Sequence, residues 1–133
     1  MKYMIMLYGS QQDFDAMAGR PTGKPAMSHE ELAAMHAYME SFHKKLADSG
    51  ELVGTQGLTA PVHARRVRLE NRLPVVTDGP YPETQEVLAG YTIVDCASID
   101  RAIEIAAGLV NPDMPGEYVD IRPVLNSIEE LEM

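Results

Sequence analysis

The chain predicts an α+β fold built on a split βαβ repeat, and three observations carry that expectation. Residues 2–8 and 85–95 read as strands with no polar face. In the first, Tyr3, Ile5 and Leu7 oppose Met4 and Met6; in the second, Val87, Ala89, Tyr91 and Ile93 oppose Leu88, Gly90, Thr92 and Val94. A strand apolar on both faces is covered on both, so these two belong in the middle of a sheet. Residues 117–124 differ: Val119 and Ile121 alternate with Asp120 and Arg122, and Pro123 suits an edge strand. Helical patterns follow each central strand. The order β-α-β-hairpin-β-α-β is that of the ferredoxin-like arrangement.

Each element has its own local signal. Residues 9–27 are polar and rich in Gly and Pro, and read as a long mobile loop. Residues 28–49 form the clearest helix. Ser28 with Glu31 makes a capping box, and Leu32, Met35, Met39, Phe42 and Leu46 fall on one stripe. Gly50 supplies a left-handed C-terminal residue. Residues 51–58 suggest a strand, and 64–70 and 73–76 flank Asn71-Arg72 as a hairpin. Ser98 or Asp100 caps the second helix, with Ile99, Ala102, Ile103 and Ala106 inward. Residues 111–116 form a turn, and residues 126–133 an acidic tail.

At 133 residues the expectation is one domain, 1–133. The net charge of −9 argues against nucleic acid and anionic membrane as partners. Arg65, Arg66 and Arg68 are the one basic cluster, with Arg66 and Arg68 on one strand face. A single cysteine excludes an internal disulfide framework, and Cys96 reads as a buried, inert thiol. Lacking a signal or transmembrane stretch, the sequence suggests a cytoplasmic protein. It carries no Rossmann glycines, HExxH or zinc cysteines, so neither cofactor nor metal is expected. Two helices cover only one face of a four-stranded sheet. The apolar residues left on the other face mark an interface, and a second copy related by two-fold symmetry is the economical partner.

Between the hairpin and the second central strand stands Thr77-Asp78-Gly79-Pro80-Tyr81-Pro82-Glu83-Thr84. This stretch resembles the signature of the DGPF-type group of YCII-related proteins, with Tyr81 where that group has Phe. The resemblance extends through Gly50-Glu51-Leu52-Val53-Gly54, Gly57-Leu58, Ala89-Gly90-Tyr91 and the run from Asn111 to Glu117 that leads into Ile121-Arg122-Pro123-Val124. It implies a dimeric α+β barrel. Many members resemble one another in a His–Asp pair proposed as an active site. Counted back from Gly50, the helix position falls near Met39, and the Asp corresponds only loosely to Asp113, so the pair is not carried over.

Several residues have chemistry to offer. Asp78 and Glu83 flank the stiff turn. They read either as turn formers or as paired carboxylates presented to a pocket with Arg122 opposite, working as base and orienter. Arg122 would clamp a carboxylate, with Tyr81 and Tyr91 as further ligand contacts. His29, His36 and His43 recur every seven residues, about 10.5 Å apart along a helix, too far to share a metal. They read as a polar flank, or His36 as a general acid/base poised by Glu40. By fold analogy, the first functional expectation is a cofactor-independent enzyme or ligand-binding protein for an unidentified small molecule. Its cleft would lie near the Asp-Gly-Pro-Tyr-Pro-Glu-Thr loop, between sheet and helices, gated by residues 9–27. The alternative, which the resemblance to DGPF-type proteins implies, is a non-enzymatic accessory or regulatory protein of an extracytoplasmic-function sigma factor system.

Overall fold

A computed structural model describes residues 1–20, 22, 26–80, 86–114 and 116–132. The chain is a mixed α+β protein with antiparallel pairings. It divides into two compact units. One comprises Met1–Leu7, Ala37–Gly57 and Gly90–Met133; the other comprises Tyr8–His36 and Leu58–Ala89. Among the described residues no helix is long and apolar enough to cross a membrane.

The first unit holds most of the four-stranded sheet. Its order is β2 (Leu52–Gly57), β5 (Val87–Asp95), β1 (Lys2–Gly9), β6 (Val119–Pro123). The two doubly apolar strands are central and the Pro-bearing strand is at an edge, as the ferredoxin-like pattern requires. One face builds the core. Tyr3, Ile5 and Val94 meet Leu46 of α2 (His29–Asp48) and Ala102, Ile105 and Ala106 of α3 (Ile99–Ala107). Met39, Phe42, Val119 and Ile121 pack around them, half-buried. Alternation sends Met4, Met6, Tyr91 and Ile93 to the opposite, outer face, where each is half-buried. Arg122 pairs with Met4 and Asp120 with Met6, so both charged residues share that outer face.

Among the described residues the core face contains one buried polar group, Thr92, and its hydroxyl is satisfied. It lies 3.0 Å from the hydroxyl of Thr55, its register partner on β2. Thr55 Oγ1 donates to the Tyr91 carbonyl at 3.0 Å. A hydroxyl has a single proton, so the Thr92 hydroxyl is the donor to Thr55. His43 Nε2 stands 3.4 Å from the same oxygen. The histidine flank therefore splits: His43 is half-buried at this network, while His29 and His36 are exposed.

Three local expectations need correction. Residues 9–27 are not a structureless loop: α1 (Gln11–Met17) forms there. Its cause is a second capping box, not expected from the sequence, in which Ser10 Oγ accepts from the Asp13 amide and Asp13 returns to the Ser10 amide at 2.9 Å. In α3, Ile105 is buried and Ile99 and Ile103 are exposed, so the inward stripe lies to the other side of Ala102 and Ala106. The Ser28 capping box is altered: Ser28 Oγ accepts from the Glu31 amide at 3.1 Å, but its hydroxyl also donates to the Glu31 carboxylate at 3.2 Å. Ser98 caps α3 as expected, and Gly50 has φ 80°.

An ion pair links the start of β2 to α3. Arg101 donates from Nε and Nη2 to the two Glu51 oxygens at 2.9 and 2.8 Å, and Ser49 Oγ donates to the same carboxylate at 2.9 Å. The Arg101 bonds, aided by Ser49, hold the Glu51 carboxyl down to about 2 against an ordinary 4.5, despite its partial burial. Folding thus removes a proton-binding site. The stability it contributes is complete above pH 4.5 and is lost as pH falls towards 2. Glu51→Gln is expected to melt a few degrees below wild type at pH 7, with the gap closing across that acid window. A gap indifferent to pH in paired thermal melts would overturn this assignment.

Candidate functional site

The second unit contains a cleft of about 240 Å³ between residues 58–64 and 87–88. Its apolar walls come from Leu58, Pro61, Val87 and Leu88, and its polar groups are Thr59 and His63. The volume is below the ~300–1,000 Å³ usual for drug-sized ligands, which suits a small one.

Local structure explains the cleft. Pro61 begins a 3-10 turn, Pro61–His63, where its fixed φ is pre-organised and its missing donor costs nothing. The turn closes through His63 N to the Ala60 carbonyl and Ala64 N to the Pro61 carbonyl, both 2.9 Å. Three further bonds fix it in place. The Val62 amide donates to Gln11 Oε1 of α1 at 2.9 Å. The Gly79 amide donates to the Ala64 carbonyl at 3.0 Å. The Leu58 amide donates to the Ala89 carbonyl of β5 at 2.8 Å. The cleft therefore sits against the Asp78-Gly79-Pro80 turn, whose Gly79–Pro80 bond is cis.

The same unit carries the hairpin of β3 (Arg65–Glu70) and β4 (Leu73–Asp78). Asn71 and Arg72 adopt φ 50° and 66°, the left-handed pair that a two-residue hairpin turn demands. Asp78 ends β4 opposite Arg65, and its carboxylate forms an ion pair with Arg65 Nε at 3.1 Å. Its side chain is 75% exposed.

The residues singled out from the sequence fall into three sets. Asp78 borders the cleft by its neighbour Gly79, and His36 is an exposed residue of α2; both belong to the second unit. Arg122 and Tyr91 belong to the first unit and share the outer face of its sheet. Glu83 and Tyr81 lie outside the described residues. Sequence reasoning missed His63, among the described residues the one titratable side chain lining the cleft. The signal was Pro61 two residues before a histidine, between two strands and apart from the helical histidine run. Among the described residues no cluster of three His, Cys, Asp or Glu side chains is arranged to hold a metal.

Sheet order, core and cleft together define a ferredoxin-like α+β protein with an apolar cleft braced by an Asp-Gly-Pro turn. The model of the YCII-related domain matches residues 1–125, and the chain belongs to that family. It is also similar to "Uncharacterized protein R00369" of Rhizobium meliloti (strain 1021), 30% identical over 99 residues, which span 74% of this chain and 80% of that protein.

Proposed function

We propose that the protein binds a small organic molecule in the cleft of residues 58–64 and 87–88, and that it acts as a homodimer. The cleft against the Asp78-Gly79-Pro80 turn is the observation that carries this reading. Apolar walls with a hydroxyl and an imidazole suit a small ring or short chain bearing a carboxylate or phenol. The imidazole of His63 also supplies proton transfer, so a cofactor-independent reaction at the polar end of the ligand lies within the site's chemistry. The turn supports a place among the DGPF-type members of the family. The homodimer is supported by Met4, Met6, Tyr91 and Ile93 on the outer sheet face. There Arg122 would offer its fork of donors to a carboxylate at the dimer seam.

A thermal-shift panel of small aromatic and aliphatic carboxylic acids and phenols tests the binding site. Wild type is compared with Leu58→Trp, whose indole fills the cleft. At least one compound is expected to stabilise wild type, by about 2.7 kcal/mol at a hundredfold excess over Kd, and to leave the variant unmoved. Silence across the panel, or equal shifts in both proteins, would overturn the proposal.

A further inference from the structure

The chain contains a single Asp-Gly dipeptide, Asp78-Gly79, and no Asn-Gly. An Asp-Gly bond is chemically fragile in any polypeptide. The amide nitrogen of the second residue can attack the side-chain carboxyl carbon of the first, and glycine, having no Cβ, does not obstruct the approach. A nitrogen–carbon bond forms and closes a five-membered succinimide. One carboxyl oxygen leaves as water, taking the amide proton and the proton of the carboxylic acid. Water then opens the ring at either carbonyl. One opening restores aspartate. The other gives isoaspartate, whose main chain runs through the former side chain and is one carbon longer.

Both reacting groups are engaged in the fold. Asp78 Oδ1 forms its ion pair with Arg65 Nε at 3.1 Å. The Gly79 amide donates to the Ala64 carbonyl at 3.0 Å. The two restraints share one anchor, because Arg65 Nη1 donates to that same Ala64 carbonyl at 2.9 Å and to the Val62 carbonyl at 3.4 Å. All five residues belong to the second unit, and Asp78 and Arg65 are register partners at the end of the hairpin. Ring closure turns the Gly79 amide towards the Asp78 side chain, so both contacts have to break before the atoms reach an attacking geometry. Dryness offers no protection: the Asp78 and Arg65 side chains are 75% and 52% exposed, so water for ring opening is at hand.

We infer that Asp78-Gly79 is a site of spontaneous isoaspartate formation which the folded turn suppresses, with Arg65 as the restraint. The extra main-chain carbon would enter beside Gly79, where a single added carbon overlaps the Pro61 carbonyl oxygen. A rearranged chain therefore loses the packing of the turn against the cleft wall. Arg65 acts here as a protecting residue and not as a ligand contact, and the inference stands whether or not the cleft is occupied.

An ageing experiment tests it. Wild type is kept warm at neutral pH, native and in guanidinium chloride, and isoaspartate at position 78 is followed by mass spectrometry of the tryptic peptide 73–101. Arg65→Ala and Arg68→Ala are aged beside it. Arg68 lies on the same strand, and its own ion pair is with Glu70 at 3.0 Å. Arg65→Gln, which keeps a donor but not the charge, replaces Arg65→Ala if that variant does not fold. Denatured wild type is expected to accumulate isoaspartate and native wild type to stay well below it. The native Arg65 variant is expected to gain it about three- to tenfold faster than native wild type, the range set by losing an exposed ion pair together with a charge-assisted hydrogen bond. Arg68→Ala should track wild type. Equal rates in native and denatured wild type overturn the inference, as does a denatured chain that forms no isoaspartate at position 78. A native Arg65 variant no faster than wild type, or matched by Arg68→Ala, overturns it as well.

Discussion

Gly79→Val is expected to destabilise the protein by about 2–3 kcal/mol, the cost of overpacking a tight site. A Cβ at position 79 would overlap the Pro61 carbonyl oxygen and stand 3.3 Å from the Ala64 side chain. Both obstacles belong to the 3-10 turn lining the cleft, which cannot retreat without losing the Gly79 amide bond to Ala64. Gly79 is not among the residues with positive φ. The need for glycine is therefore close approach of two backbones, not the left-handed conformation that an Asp-Gly-Pro sequence first suggests. Gly57→Ala, where an added Cβ meets nothing within 4 Å, serves as the control and should stay within about 0.5 kcal/mol. Urea titration reads both. A Gly79→Val midpoint equal to wild type would show that the approach is not tight in solution.

Ile5→Ala should cost about 3 kcal/mol, within the 2–5 typical of a buried aliphatic truncation. Ile5 is fully buried on a central strand, opposite Ile121 of β6 and in one cluster with Leu46 and Ile105 from the two helices. Strand neighbours are fixed by their ladders, so the hole left by three carbons has few ways to close. Ile5→Val, which removes one carbon, should cost about 1 kcal/mol. Chemical denaturation of the pair checks the ratio. A loss under 1 kcal/mol for the alanine variant would mean that the core around β1 collapses freely.

The fold was legible because its strongest signals are long-range constraints written locally. Two strands with no polar side must be central, and a strand with alternating charge and a proline must be at an edge. Sequence patterns blurred where two solutions share one composition. Ile99, Ala102, Ile103, Ile105 and Ala106 cover so much of α3 that periodicity does not say which side faces the core. The buried residues show that Ile105 wins over Ile103. Helix α1 was hidden because it is seven residues long, is capped by Ser10 and Asp13 instead of a Ser–Glu box, and precedes a Gly/Pro-rich run.

The site was less legible than the fold. Asp78-Gly79-Pro80 was visible as a stiff turn, and the cleft does lie against it. What the turn presses upon, residues 61–64, has no strong pattern of its own. A tight turn that depends on Gln11 from a distant helix leaves no trace in local spacing. The helical histidines drew attention by repetition, although the histidine that lines the cleft stands alone.

The bonds that hold the cleft join residue 62 to residue 11, residue 64 to residue 79 and residue 58 to residue 89. None is a neighbour in the chain, so each closes a loop whose entropy must be overcome before the bond returns anything. During synthesis the walls around residues 58–64 leave the ribosome well before residues 79 and 89. The cleft is thus a feature the molecule acquires late in its maturation. A nascent or clipped chain lacking residue 89 would have the histidine and the proline but not the cleft they line.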